Sequence, residues 1–163
     1  RAAGDGDKHD WARLRLAQAR AASALQPGGL AILLDCGEFD NIHPTDKRTP
    51  GERLCDVALR VVYGMDAPES PRALGKYTQG DTLVVTLSAP VLRRETGELL
   101  LEIAGEDGAY HPVQSVTLDG TEMRLRSVAV LHPAKVRYAY VNWGKVSLFG
   151  QNGLPLAPFA FEG

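Results

Sequence analysis

The sequence predicts an α/β segment followed by a small antiparallel β-sandwich, and three observations predict it. Residues 30–34 (Leu-Ala-Ile-Leu-Leu) form a short apolar run without alternation, the mark of a strand buried on both faces of a sheet. Helical patterns flank that run on both sides. Beyond residue 76 the texture changes to short strand-like runs, several of them alternating, with turn residues between them.

The elements follow in order. Residues 1–9 are rich in Gly and Asp and read as a loop. Asp10 is a good N-cap for a helix that begins at Trp11, and Trp11, Leu14, Ala17 and Gln18 fall on one face of it. That helix ends before Gln26-Pro27-Gly28-Gly29, which combines a helix breaker with flexible turn residues. After the apolar run comes an acidic loop, and then a second helix from Pro50 to Tyr63. Thr49 and Glu52 have capping-box spacing, and Pro50 suits a first helical turn. Leu54, Val57, Ala58, Val61 and Val62 form an apolar stripe, and Gly64 fits the residue just past the helix end. Helix, strand, loop and helix make the closing part of an α/β layer sandwich. One strand cannot form a sheet alone, so its partners must come from elsewhere.

Residues 65–76 contain two prolines and no periodicity, and read as a linker. Strands are expected at 82–87, 99–104, 113–118, 123–128 and 136–141, with turns at Glu95-Thr96-Gly97, Glu106-Asp107-Gly108 and Asp119-Gly120. The expected organisation is therefore an α/β part over 1–64, a linker over 65–76 and a β-sandwich over 77–163.

Bulk composition narrows the function classes. The 163 residues carry 18 basic and 20 acidic side chains, a net charge of -2, which gives no electrostatic reason to expect nucleic acid or an acidic membrane surface as a partner. No apolar run approaches the roughly 20 residues that a membrane helix needs. Cys36 and Cys55 are too few for a disulfide framework and read as free thiols. The first residue is Arg1 and no secretory leader follows it, so the chain reads as a fragment or processing product.

The chemistry concentrates in Asp35-Cys36-Gly37-Glu38-Phe39-Asp40-Asn41-Ile42-His43-Pro44. In open α/β sheets, functional groups sit on loops that leave the carboxyl ends of strands. A His three residues after an Asp in such a loop suits a general base and its orienting carboxylate. The carboxylate fixes the imidazole tautomer and stabilises the imidazolium formed in proton transfer. His43 is the candidate base and Asp40 its candidate orienter, with Asp35 and Glu38 as rivals for the second role. The same four side chains are also weighed as a metal site, but one His with carboxylates is a ligand set without recognised spacing.

A base needs a nucleophile, and none is evident here. No serine stands in Gly-x-Ser-x-Gly or Gly-Asp-Ser. Gly80-Asp81-Thr82 opens a strand, Gly150-Gln151-Asn152-Gly153 is a turn by composition, and Cys36 has no motif around it. His9, His111 and His132 read as flexible-start or turn residues. Trp143, Tyr138, Tyr140 and Phe149 read as sandwich core in preference to a carbohydrate-stacking surface.

The block Asp35-x-Gly37-Glu38-x-Asp40-Asn41-Ile42-His43-Pro44-x-x-Lys47-x-x-x-Gly51-Glu52-Arg53-Leu54 resembles the last catalytic block of sialate O-acetylesterase-like proteins of the SGNH hydrolase superfamily. Trp11-Ala12-x-Leu14-Arg15-x-Ala17-Gln18 is similar to the family's preceding helix. Pro133-x-x-Val136-Arg137-Tyr138-Ala139 and Gly153-Leu154-Pro155-x-x-Pro158-Phe159 are similar to its C-terminal β-domain. The resemblance implies the C-terminal part of an SGNH, flavodoxin-like α/β/α sandwich followed by the β-sandwich. It implies a serine esterase that removes O-acetyl groups from sugars, of sialate or hemicellulose type, with no metal or organic cofactor. His43 and Asp40 map onto the triad base and acid. The family's serine and its oxyanion donors lie in N-terminal blocks that have no counterpart here. The implied partners are thus an N-terminal chain of the same enzyme, carrying that serine, and an acetylated carbohydrate. The rival reading is a non-catalytic carbohydrate-binding or interaction module built on the β-part.

Overall fold

A computed structural model of the chain describes residues 9–162; the loop expected over residues 1–8 lies outside them. Two helices come first, α1 (Asp10–Ala24) and α2 (Arg48–Val61). Ten strands follow: β1 (Ala73–Gln79), β2 (Thr82–Leu87), β3 (Val91–Arg93), β4 (Leu101–Ala104), β5 (His111–Pro112), β6 (Ser115–Asp119), β7 (Glu122–Arg126), β8 (Lys135–Tyr138), β9 (Leu148–Gly150) and β10 (Phe159–Phe161).

The strands form two four-stranded sheets, ordered β1-β2-β7-β6 and β10-β8-β4-β5, with a β3-β9 pair beside them. Every named strand pair is antiparallel. Alternation places Leu83, Val85, Leu87, Met123 and Leu125 of one sheet in the same buried cluster as Leu101, Ile103, Val136, Tyr138 and Phe159 of the other. Short turns fix the registers. Gln79 pairs with Thr82 across Gly80-Asp81, and Asp119 pairs with Glu122 across Gly120-Thr121. Gly80 and Gly120 take φ of 61° and 55°, the left-handed values that tight hairpins require. The Gly80-Asp81-Thr82 sequence is a hairpin turn, not a nucleophile block.

The run at 30–34 is not a strand. No ladder reaches it among the described residues, Leu34 already lies in a turn, and Leu30 and Leu33 stay 36% and 39% exposed. A strand exists only through its neighbours' hydrogen bonds, and no neighbour is at hand here. The run is held from its flanks instead. Gly29 lies so close to α2 that a Cβ there would meet the Val57 side chain at 2.5 Å, and the Ile32 carbonyl accepts from Arg53.

The helices also differ from expectation in face and cap. In α1 it is Ala12 that is buried, with Arg15, Leu16 and Ala19 half-buried, while Trp11 and Leu14 are 51% and 46% exposed. Arg15 decides this. Its guanidinium donates to the carbonyls of Ala139 and Val141 at 2.9 and 2.5 Å, which turns that side of α1 onto the β-region. At the start of α2, Asp46 accepts from the Thr49 amide at 3.0 Å and does the work assigned to Thr49. Gly64 has φ 62°, and the Met65 amide bonds the Leu59 carbonyl at 3.0 Å, which closes the helix as expected.

The linker stretch ends earlier than its composition suggests, because β1 starts at Ala73. It is also fastened. Pro71 is wholly buried, its carbonyl accepts from Ala157 at 2.9 Å, and the Glu69 carbonyl accepts from the Asn152 side chain.

Candidate active site

The acidic loop is organised by Glu38. One carboxylate oxygen accepts from the Thr45 amide and hydroxyl at 2.7 and 2.8 Å, and the other accepts from the Asn41 side-chain amide at 2.7 Å. Asn41 in turn accepts from the His43 amide at 2.9 Å, a local side-chain turn. These bonds hold the Glu38 carboxyl below the usual range, the Thr45 amide contributing most. Glu38 thus builds the loop and is fully engaged in doing so.

Asp35 is engaged elsewhere. Its two oxygens accept from Nη1 and Nη2 of Arg53 at 2.6 and 2.7 Å, a bidentate pair, and Nη1 also reaches the Ile32 carbonyl at 2.6 Å. Arg53 is 9% exposed although it sits in the exposed first half of α2. One guanidinium therefore ties the helix, the apolar run and the root of the acidic loop together. Sequence reasoning quoted Arg53 as part of a motif and missed this role. The available signal was a cation directly before Leu54, the first residue of the apolar stripe, with Asp35 at the loop entrance.

Asp40 and His43 are both exposed on the outward side of the loop that Glu38 closes. Among the described residues no hydrogen bond or ion pair joins them, or ties either side chain to Asp35 or Glu38. With Asp35 committed to Arg53 and Glu38 to Thr45, Asp40 is the carboxylate of the three left uncommitted.

Cys36 is half-buried, and burial pushes its thiol up, with the Asp35 charge adding to the effect. A nucleophilic cysteine needs the opposite shift. Cys55 is exposed, and both cysteines are free. Among the described residues no three His, Cys, Asp or Glu side chains gather as metal ligands. No described helix is long and apolar enough to cross a membrane.

The β-region reaches the loop through Trp143, which meets Phe39 edge to face with ring centroids 5.8 Å apart. Trp143 is 37% exposed and so is not a core residue, unlike Tyr138 and Phe149, which are buried at 0% and 3%. The segment carrying it is set by two unusual backbone positions. Leu100 and Ala139 face each other at φ 49° and 52°, joined by a 2.9 Å bond, where β8 leaves its sheet.

No protein-family model matches the sequence, and no curated protein matches it significantly. The crystal structure of a carbohydrate acetylesterase from Xanthomonas citri matches with a TM-score of 0.85 and 31% sequence identity, over 96% of this chain. The chain shares the fold of the corresponding part of that enzyme. It spans 38% of the length of that enzyme.

Proposed function

We propose that this chain is the C-terminal part of an SGNH-type carbohydrate O-acetylesterase, with residues 1–64 completing its α/β domain, 65–72 connecting and the strands from Ala73 onward forming the β-sandwich. The observation that carries the reading is the match of 96% of the chain to a carbohydrate acetylesterase at a TM-score of 0.85. His43 is the general base and Asp40 orients it. The serine nucleophile and the oxyanion donors lie in an N-terminal part. Serine attacks the acetyl carbonyl as His43 takes its proton, and His43 returns that proton to the departing sugar hydroxyl. Backbone and side-chain donors of the N-terminal part hold the oxyanion. Water, with His43 again as base, then releases acetate. The substrate is an acetylated carbohydrate, of sialate or hemicellulose type.

The surface of residues 11–65 supports a missing companion. Leu54, Val62, Tyr63 and Met65 of α2 and its exit are 56–70% exposed, and Ile42, beside His43, is 85% exposed. Leu54 and Val62 belong to the stripe of α2, and exposed apolar groups of this kind mark a surface that is covered by a partner. The test is acetate release from acetylated xylo-oligosaccharides and acetylated sialic acid by the assembled enzyme. Release that disappears in His43→Ala supports the esterase. Sugar binding without release by the assembled parts would instead favour the carbohydrate-binding module.

A further inference from the structure

The acidic loop and the β-region enclose a cleft of about 290 Å³, walled by Leu34, Asp35 and Gly37 on one side and by Thr96, Gly97 and Trp143–Val146 on the other. Its walls are backbone-rich for a steric reason. A Cβ on Gly97, which has φ 96°, would meet the Val146 carbonyl at 2.6 Å, and one on Gly144 would meet the Leu100 side chain at 2.7 Å. The half-exposed Trp143 ring borders this space, while its other contact, Phe39, directly precedes Asp40.

The polar groups at the cleft are of two kinds. Asp35 is already paired with Arg53. Thr96 and Lys145 line the cleft and are exposed, and the Thr96 hydroxyl and the Lys145 ammonium make no hydrogen bond or ion pair among the described residues. An accessible aromatic surface next to unengaged donors matches an amphipathic ring with an apolar face and a hydroxylated edge. The volume lies just below the range for small-molecule sites, roughly 300–1,000 Å³, so it suits one sugar ring and no more.

We infer that Trp143 is a sugar-binding platform, on which the pyranose next to the acetylated one stacks while Thr96 and Lys145 bond its hydroxyls. The β-region then takes part in choosing the substrate. This rests on the carbohydrate-esterase reading above, and it adds the residues that recognise the sugar.

The binding test does not depend on turnover. Trp11 and Trp143 are the two tryptophans of the chain, so Trp11→Phe leaves Trp143 as the sole reporter. Titration of the full chain with acetylated xylo-oligosaccharides, and separately with acetylated sialic acid, should change Trp143 emission saturably for at least one of them. Lys145→Ala with Thr96→Val should weaken that response, and Trp143→Ala should remove binding measured by calorimetry. No saturable response to either sugar would overturn the proposal, whether or not the assembled enzyme is an esterase. In the assembled enzyme, Trp143→Ala should raise KM for the glycan by roughly tenfold, a larger loss than on an aryl acetate, and Trp143→Phe should restore most of it. Equal loss on glycan and aryl acetate would overturn the proposal by showing that Trp143 acts through Phe39 on the loop. An assembled enzyme inactive on both esters, in a chain that still binds sugar through Trp143, would sink the esterase reading and leave the platform standing.

Discussion

Leu125 and Leu54 are both leucines in regular elements with apolar neighbours in register, yet one is 0% and the other 58% exposed. The contrast runs through the molecule. Among the described residues, every buried apolar side chain except Ala12 and Pro71 lies beyond residue 82, whereas most of the large exposed ones lie between Trp11 and Met65. In the β-region, two sheets supply each other with cover. In the helical region, the stripe of α2 is only half covered: Val57 and Val61 face Gly29, while Leu54 and Val62 stay exposed. A regular apolar face therefore says that a surface is made to be covered, and leaves open which piece of protein covers it. The helical region holds its shape by polar ties instead: Arg15 to two carbonyls, Arg53 to Asp35, and Glu38 to Thr45.

The largest effect that sharpens this contrast is catalytic. In the enzyme assembled from this chain and its N-terminal part, His43→Ala should lower kcat by on the order of 10³-fold or more, because triad members act as a unit. Asp40→Asn should cost less than that. Near-normal acetyl ester turnover in His43→Ala would remove His43 from the mechanism. Thermal stability of the chain should stay the same in both variants, since both side chains are exposed.

Next come the two leucines themselves. Leu125→Ala should destabilise the chain by about 2–5 kcal/mol, the range for emptying a packed core site. Leu54→Ala should stay within about 0.5 kcal/mol in the isolated chain and should weaken association with the N-terminal part. Equal effects in denaturant titrations of the isolated chain would break the distinction between the two regions.

Arg53→Ala leaves Asp35 without its partner. The Asp35 side chain keeps 23% exposure, so water takes over part of the lost interaction. The expected cost is about 2 kcal/mol, below the range for a fully buried pair, and faster hydrogen exchange at residues 32–46 should accompany it. Arg53→Lys should recover only part, because an ammonium cannot bond both oxygens in the guanidinium's fork.

The smallest effect is a pH dependence confined to the loop. Hydrogen bonds from Thr45 and Asn41 hold the Glu38 carboxyl below its ordinary value of 4.5. A carboxyl lowered by folding stabilises fully above its unfolded value, and that stabilisation disappears as pH falls through the lower, folded one. The Thr45 amide should therefore stay protected at neutral pH and lose protection only as pH falls through that lower value, and Glu38→Gln should abolish this step. An unchanged acid profile in the variant would show that Glu38 does not hold the loop.

How much of this was legible in the sequence depended on whether a signal was local. Hairpins announced themselves through Gly80 and Gly120, and β2 and β7 through alternation. The second helix was visible from its stripe and from Gly64. Short strands such as β3, β9 and β10 were not, because three residues carry no period and owe their state to a partner distant in sequence. The run at 30–34 has strand composition, but composition cannot supply a ladder. In the acidic loop, the Asp-x-x-His spacing singled out His43 and Asp40, while Asp35 and Glu38 remained rivals. Only the partners of those two, Arg53 and Thr45, showed that each has other work. Trp143 was read as core because an aromatic residue near strands usually is, and the turn that lifts it to the edge depends on the facing Leu100 and Ala139 backbones.

Acetate release by separate and combined parts decides whether residues 1–163 supply the base to an active site completed elsewhere. The chain, an N-terminal part carrying the serine, and their mixture are each assayed against an aryl acetate. Both parts should be silent alone, the mixture should turn over, and His43→Ala in the mixture should silence it again. Turnover by the isolated chain at the rate of the mixture would contradict the shared site.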